Sequence, residues 1–314
     1  MGHLIIPGIV EPLTAPSSLP PVGTALEEFT WAQIRAISDD DQAANYFSVG
    51  DTKAVKVSGT IGTLSVNATY YVYIIGIDHN KSVEGKGITF GTFKTAASGG
   101  KNVALCDGGY NSNSSTLGNA GTKYFRQYHW NSSVGIYGGW KGFDFRYDIL
   151  GSTDVPPSGY GKQTVSGRVG YDASETCAIN PVANTLMAAL PSELREVMKP
   201  MTIYTNNGNA ADNTAASVTA SVDYLPLLAE FEITGSRSVA NVYEQNYQEQ
   251  YAYYSAGNSK VKYKHDATAT AVLWWIRSLY SGNSSYPLGI VNDGGSMNMY
   301  YEGFDAGVAP IFRV

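Results

Sequence analysis

The sequence predicts a mixed helix-and-strand protein with long irregular connections. Apolar residues step at helical spacing around Trp31, Ile34 and Ile37, and again at Leu186, Leu190, Leu194 and Met198. Aromatic and β-branched runs such as Tyr70-Tyr71-Val72-Tyr73-Ile74-Ile75-Gly76-Ile77 read as strands between turn formers. Stretches built from Gly, Asn and Ser separate these elements.

Residues Pro7 to Leu26 carry Pro7, Pro12, Pro16, Pro20 and Pro21, a pattern that resists helix and sheet and favours an extended arm. A linker and a peg that docks onto a larger assembly both fit it. Thr30 followed by Gln33 forms a capping box, which predicts a helix from about Thr30 to Ala44. Tyr46–Val49, Ala54–Ser58 and Tyr70–Ile77 read as strands, with Gly and Asn turns between them. Lys81 to Gly87 is a polar turn, and Ile88 to Phe93 alternates like a half-buried strand. Ser98 to Gly121 reads as loop around the short apolar run Val103–Cys106, and Asp148 to Thr176 as irregular chain.

Pro191 divides the second helical segment into two short helices joined at Leu190. A loop spans Asn206 to Ser217, and the apolar Tyr224–Leu228 and a Tyr-rich stretch from Tyr243 to Tyr254 lead to the terminal block. There, Leu288–Val291 and Met297–Tyr301 flank Asn292-Asp293-Gly294-Gly295, the composition of a tight hairpin turn. Val308, Pro310, Phe312 and Val314 share a face of a closing strand, in which Pro310 marks an edge or a start.

With 314 residues, 43% hydrophobic and 15% charged, the chain can bury a sizeable core in one large domain or two smaller ones. A net charge of −6 without any Lys or Arg cluster argues against a nucleic-acid partner. Cys106 and Cys177 are too few for a disulfide framework and too far apart for a CxxC site, so a buried thiol pair and a single disulfide both stay open. The first ten residues lack the basic region of a secretory signal, and no segment approaches the length of a membrane span. The expectation is a particle released by lysis, or a piece of a longer surface protein.

No histidine pair has metal-ligand spacing, and no GxSxG elbow is present. His79 at a strand end suits a turn role better than a base or ligand, and His129 lies among aromatic neighbours. Gly159-Tyr160-Gly161-Lys162-Gln163 lacks the Ser or Thr of a phosphate loop. Asp39-Asp40-Asp41 reads as the solvated end of a helix, and the glycine pairs after Asp107 and Asp293 as turns without metal. No cofactor and no metal are expected. Trp140, Trp274 and Trp275 sit among apolar neighbours and are expected in the core, with Arg146 and Arg277 bonded to carboxylates.

A surface for adhesion is expected where Tyr clusters with Asn and Ser between stiff strands, because Tyr offers contact area with few torsions to freeze. The ligand-binding candidates are Tyr280, Asn283, Ser285, Tyr286, Asn292, Asn298, Tyr300, Tyr301 and Phe304.

Six signals occur in order: Trp31-Ala32-Gln33-Ile34, Val49-Gly50-Asp51, Ile77-Asp78-His79-Asn80, Gly139 to Arg146, Trp274 to Ser278, and Gly307 to Arg313. Together they resemble an uncharacterised domain family of gut-bacterial surface proteins and phage tail or fibre proteins. The ending is similar to the C-type-lectin-like fold of retroelement-diversified receptor-binding proteins and formylglycine-generating enzymes. The resemblance covers roughly Phe29 to Val314 and implies an α+β, C-type-lectin-like domain with short helices, antiparallel strands and long irregular loops. It divides the chain into an extended Pro-rich arm, residues 1–28, and a ligand-binding domain, residues 29–314. The enzymatic branch relies on cysteines near the C-terminal core, and this chain has none beyond Cys177.

The expected protein is therefore not an enzyme but a phage virion receptor-binding or decoration protein. Its C-terminal loops would hold a host cell-surface glycan or protein, and residues 1–28 would bind other virion proteins. A homotrimer is expected, since fibres are symmetric, with no membrane insertion. A purely structural virion protein and a bacterial surface adhesin are the alternatives, with a glycan hydrolase behind them.

Overall fold

Thr30 starts the first helix, Trp31–Asp39, through the expected capping box: its hydroxyl accepts from Gln33 N at 3.2 Å, and Gln33 Oε1 accepts from Thr30 N at 2.8 Å. The computed structural model describes residues 19–106, 130–131, 135–136, 139–143, 146–152, 178–208, 212–281, 288–300 and 306–314. These form a mixed α+β fold of short helices and small, mostly antiparallel sheets. The first helix stops five residues before the expected Ala44, because Asp41 adopts a left-handed φ of 57°. A second helix, Ala43–Tyr46, then enters the segment where a strand over Tyr46–Val49 was expected, and Phe47 turns into the core behind it.

The strands are, in chain order, β1 (Thr52–Ile61), β2 (Leu64–Ile77), β3 (Ile88–Lys94), β4 (Val103–Ala104), β5 (Trp130–Asn131), β6 (Gly135–Ile136) and β7 (Met201–Asn206). They continue with β8 (Val218–Asp223), β9 (Lys262–Lys264), β10 (Ala267–Val272), β11 (Trp274–Leu279), β12 (Leu288–Val291), β13 (Met297–Tyr300) and β14 (Ile311–Arg313). The largest sheet has the order β1-β2-β3-β14. Its β1–β2 hairpin turns at Gly62-Thr63, where Gly62 takes a φ of 61° that favours glycine.

β14 closes the sheet against β3 in the register Phe312↔Phe90, and the two rings stack at 5.1 Å. Trp31 covers both rings edge-on, at 5.6 Å from Phe90 and 6.1 Å from Phe312. On the opposite face Gly91 lies under the ring of Tyr73, which packs on Tyr253 at 4.8 Å. β3 is therefore buried on both faces from Ile88 to Phe93, not on one as its alternation implied. The closing strand is covered likewise: every residue from Ala306 to Val314 is buried, on both faces rather than one. Pro310 stands immediately before the strand, as expected, and Lys199 and Pro226 cover its outer edge through hydrogen bonds with Arg313 and Ile311.

The second helical segment breaks as its proline required. Thr185 caps Leu186–Ala189, Leu190 is extended, and Pro191 precedes Ser192–Arg195. The loop expected over Asn206–Ser217 joins β7 to β8 in an antiparallel hairpin. β4 pairs in parallel with β9, so that early and late parts of the chain share one core as they do at β3 and β14. No helix of the described residues is long and apolar enough to cross a membrane.

Candidate functional site

The terminal block rests on β11, whose six residues are all buried. Trp274 and Trp275 belong to the core, with Trp274 Nε1 donating to Lys260 O at 3.0 Å. Arg277, wholly buried, forms a two-pronged pair with Glu232 and donates from Nε to Thr205 Oγ1 at 2.8 Å. β12 lies close against this strand, since a Cβ on Gly289 would come within 2.8 Å of Ser278 O. β13 then pairs with β12 from Leu288↔Tyr300 to Val291↔Met297.

The β12–β13 turn is built by the first of its predicted residues. Asn292 Oδ1 accepts from Gly294 N and Ser296 N, each at 3.0 Å, and Asn292 N donates to Ser296 O at 2.9 Å. Asn292 is half-buried, while Asp293 and Ser296 are exposed. Asn298 is half-buried too, and its Oδ1 accepts from Met299 N at 2.9 Å. Tyr280 is half-buried just beyond β11. The pairings Leu279↔Leu288 and Leu288↔Tyr300 put Tyr280 and Tyr300 at one end of this sheet, with Asn292 at the other. At strand rise the ends stand about 13 Å apart. Asn283, Ser285, Tyr286, Tyr301 and Phe304 lie outside the described residues, as do His129, Cys177, Asp107–Gly109 and Gly159–Gln163.

The other candidates have structural surroundings. Trp140 Nε1 donates to Asp223 Oδ2 at 2.8 Å, and Arg146 Nε to Asp223 Oδ1 at 2.8 Å, so Arg146 and Arg277 do bond carboxylates. His79 stacks on Tyr251 at 3.6 Å between ring centres, and burial lowers its pKa to about 4. Asp39 pairs with Arg35 and Lys199, and Asp41 with Lys81 and Lys86, a surface network rather than a ligand set. Among the described residues no group of three or more His, Cys, Asp and Glu could hold a metal ion.

Sequence reasoning missed a buried ionisable cluster behind β11. Arg313 donates to Glu84 Oε2 at 2.6 Å, and Tyr251 Oη donates to the same oxygen at 3.2 Å. Burial, followed by the charge of Glu232, raises the Glu84 carboxyl above its ordinary range. Glu244, also sealed, accepts from Asn206 N at 2.9 Å and Ser278 Oγ at 2.8 Å, and burial lifts it to about 7. Glu84 and Glu244 occupy polar stretches with no periodic signal, so only the tertiary arrangement exposes their role. The outer face of the segment that carries Glu244 presents Tyr243 and Tyr247, each 38% exposed. Tyr247 stacks flat on Tyr204 of β7 at 4.2 Å.

Fold and site together define an α+β domain with buried arginine–carboxylate pairs in its interior and a polar turn at its rim. Residues 159–314, just under half of the chain, match the model of a family described as a domain of unknown function, DUF6273. No curated protein and no solved structure matches the chain.

Proposed function

We propose that this chain is a receptor-binding or decoration protein of a phage particle, in which a C-type-lectin-like domain holds a host cell-surface glycan or protein through its C-terminal loops. The observation that carries the reading is the contrast across the β11–β13 sheet. Its inner strand is fixed by two buried tryptophans and a two-pronged Arg277–Glu232 pair, while the Asn292–Ser296 turn reaches solvent. A stiff frame under an adaptable polar rim lowers the ordering cost of binding. Tyr280 and Tyr300 at one end of the sheet and Asn292 at the other give a contact face on both rims, with Asn298 between them.

Binding without catalysis fits the interior as well, since the strongly shifted groups Glu84, Glu244, Tyr251 and Lys262 are buried against structural partners. Return of the last strand to pair with an early one is compatible with a lectin-like topology. Residues 1–28 are the attachment arm to other virion proteins in this reading, the protein is a homotrimer, and its place is the virion.

A glycan array and a host-cell binding assay with the intact protein test the proposal. Asp293→Arg together with Tyr300→Ala should reduce binding at least tenfold, whereas deletion of Met1 to Thr24, which spares the buried Leu26, should abolish particle incorporation and leave cell binding intact. Absence of binding by intact protein and deletion alike would leave a structural particle role instead. Turnover of host glycan that one acidic substitution abolishes would overturn the assignment as a non-enzyme.

A further inference from the structure

Behind β11 the interior contains more carboxylates than cations. Glu84, Glu232 and Glu244 are all buried there, against two guanidiniums, Arg277 and Arg313. Arg313 is paired with Glu84 and Arg277 with Glu232. Arg277 commits its remaining contacts to Leu227 O and Thr205 Oγ1. Glu244 is left with neutral donors: the Asn206 amide at 2.9 Å, the Ser278 hydroxyl at 2.8 Å and the Gln248 amide at 3.3 Å. His79 supplies no compensating charge, because burial keeps its imidazole neutral above pH 4. A lone buried carboxylate costs several kcal/mol, a penalty that retaining one proton removes.

We propose that Glu244 enters the folded interior as a neutral carboxylic acid and acts as a proton-loaded latch, fastening the Val242–Asn246 turn to β7 and β11 and thereby setting the exposed Tyr243 and Tyr247. In the acid form the Ser278 hydroxyl, 2.8 Å away, turns from donor to acceptor of the Glu244 proton. Burial raises the Glu244 pKa, and the Asn206, Ser278 and Gln248 donors with the Arg277 charge offset that only in part, leaving it at about 7. The other ionisable groups of the cluster are Glu230 and Glu232 on the helix Glu230–Thr234, Glu84 on the helix Lys81–Glu84, Arg313 on β14, His79, and Tyr251. The folded pKa lies above the unfolded value of 4.5, so the latch contributes fully below pH 4.5 and is lost as pH rises through about 7. Above that pH the turn carries a buried charge and opens to hydrate it.

Two measurements on the full chain test the latch. Infrared spectra should show a protonated-carboxyl band at pH 5.5 that fades above pH 8, is reduced in Glu244→Gln, and retains a Glu244 component in Glu84→Gln. Amide exchange across residues 242–247, corrected for intrinsic rates, should rise by up to about tenfold per pH unit between pH 4.5 and 7 in the wild type and level off above pH 7. In Glu244→Gln, which keeps an acceptor but no titration, it should stay flat. A band unchanged in Glu244→Gln and absent in Glu84→Gln would assign the proton to Glu84 and overturn the proposal. Should Glu244→Gln fail to fold, the wild type still decides: no protonated carboxyl at pH 5.5, or corrected exchange independent of pH, refutes it.

Discussion

Lys262 shows at the scale of one residue how this interior treats charge. Its ammonium donates to Thr92 O at 3.0 Å and Tyr73 Oη at 3.3 Å, and stands 5.1 Å from the centre of the Trp274 ring. Among these groups there is no carboxylate, and burial, reinforced by Lys94, lowers its pKa to about 7. The unfolded lysine titrates at 10.5, so the unfolded chain binds the additional proton between pH 7 and 10.5. Wild-type stability is consequently lost as pH falls from 10.5 to 7 and levels off below. Lys262→Met removes that dependence. In urea titrations the stability difference between variant and wild type should change by up to about 1.4 kcal/mol per pH unit across this window, in favour of the wild type as pH rises. An unchanged difference would mean that Lys262 stays charged throughout. The arginines follow the opposite rule, since Arg146, Arg277 and Arg313 each meet a carboxylate.

At the scale of elements, the sequence was legible where a local rule decides the conformation. The capping box at Thr30, the interruption at Leu190 and Pro191, and the Asn292 turn depend on neighbours within a few residues, and each formed. Strands defined by tertiary packing rather than by a local rule were not legible. β7 and β8 hide in mixed polar sequence, β9 and β10 meet across a register shift, and β3 alternates like a half-exposed strand although both faces are covered. Gly91 illustrates the cause. In sequence it weakens a strand, yet it leaves room for the ring of Tyr73, whose Cζ would lie 2.8 Å from an added Cβ. Gly91→Ala should therefore cost about 1–3 kcal/mol by overpacking, measured by urea unfolding. A neutral result would show that Tyr73 can swing away without penalty.

At the scale of the molecule, β14 unites the parts. It pairs with β3, inserts Phe312 under Trp31, brings Arg313 to Glu84, and lets Val314 O accept from Ser38 Oγ at 2.8 Å. Deleting Ile311–Val314 removes all four and strands Glu84 beside an exposed sheet edge. That variant should lose its cooperative thermal transition in near-ultraviolet circular dichroism; a melt like the wild type's would show the strand to be dispensable. The candidate site was only partly legible at this scale. Composition marked the terminal turns, but the separation of Tyr280 and Tyr300 from Asn292 follows from strand pairing, which the residues do not announce.

The late arrival of β14 also orders events during synthesis. The ribosome releases β3 long before the strand that will cover it, so a nascent chain displays an unpaired, apolar edge until β14 has been made. Crowded polysomes would bring several such edges together, and slow elongation between β3 and β14 would prolong their exposure. Soluble yield should then depend on how quickly the chain between those two strands is translated.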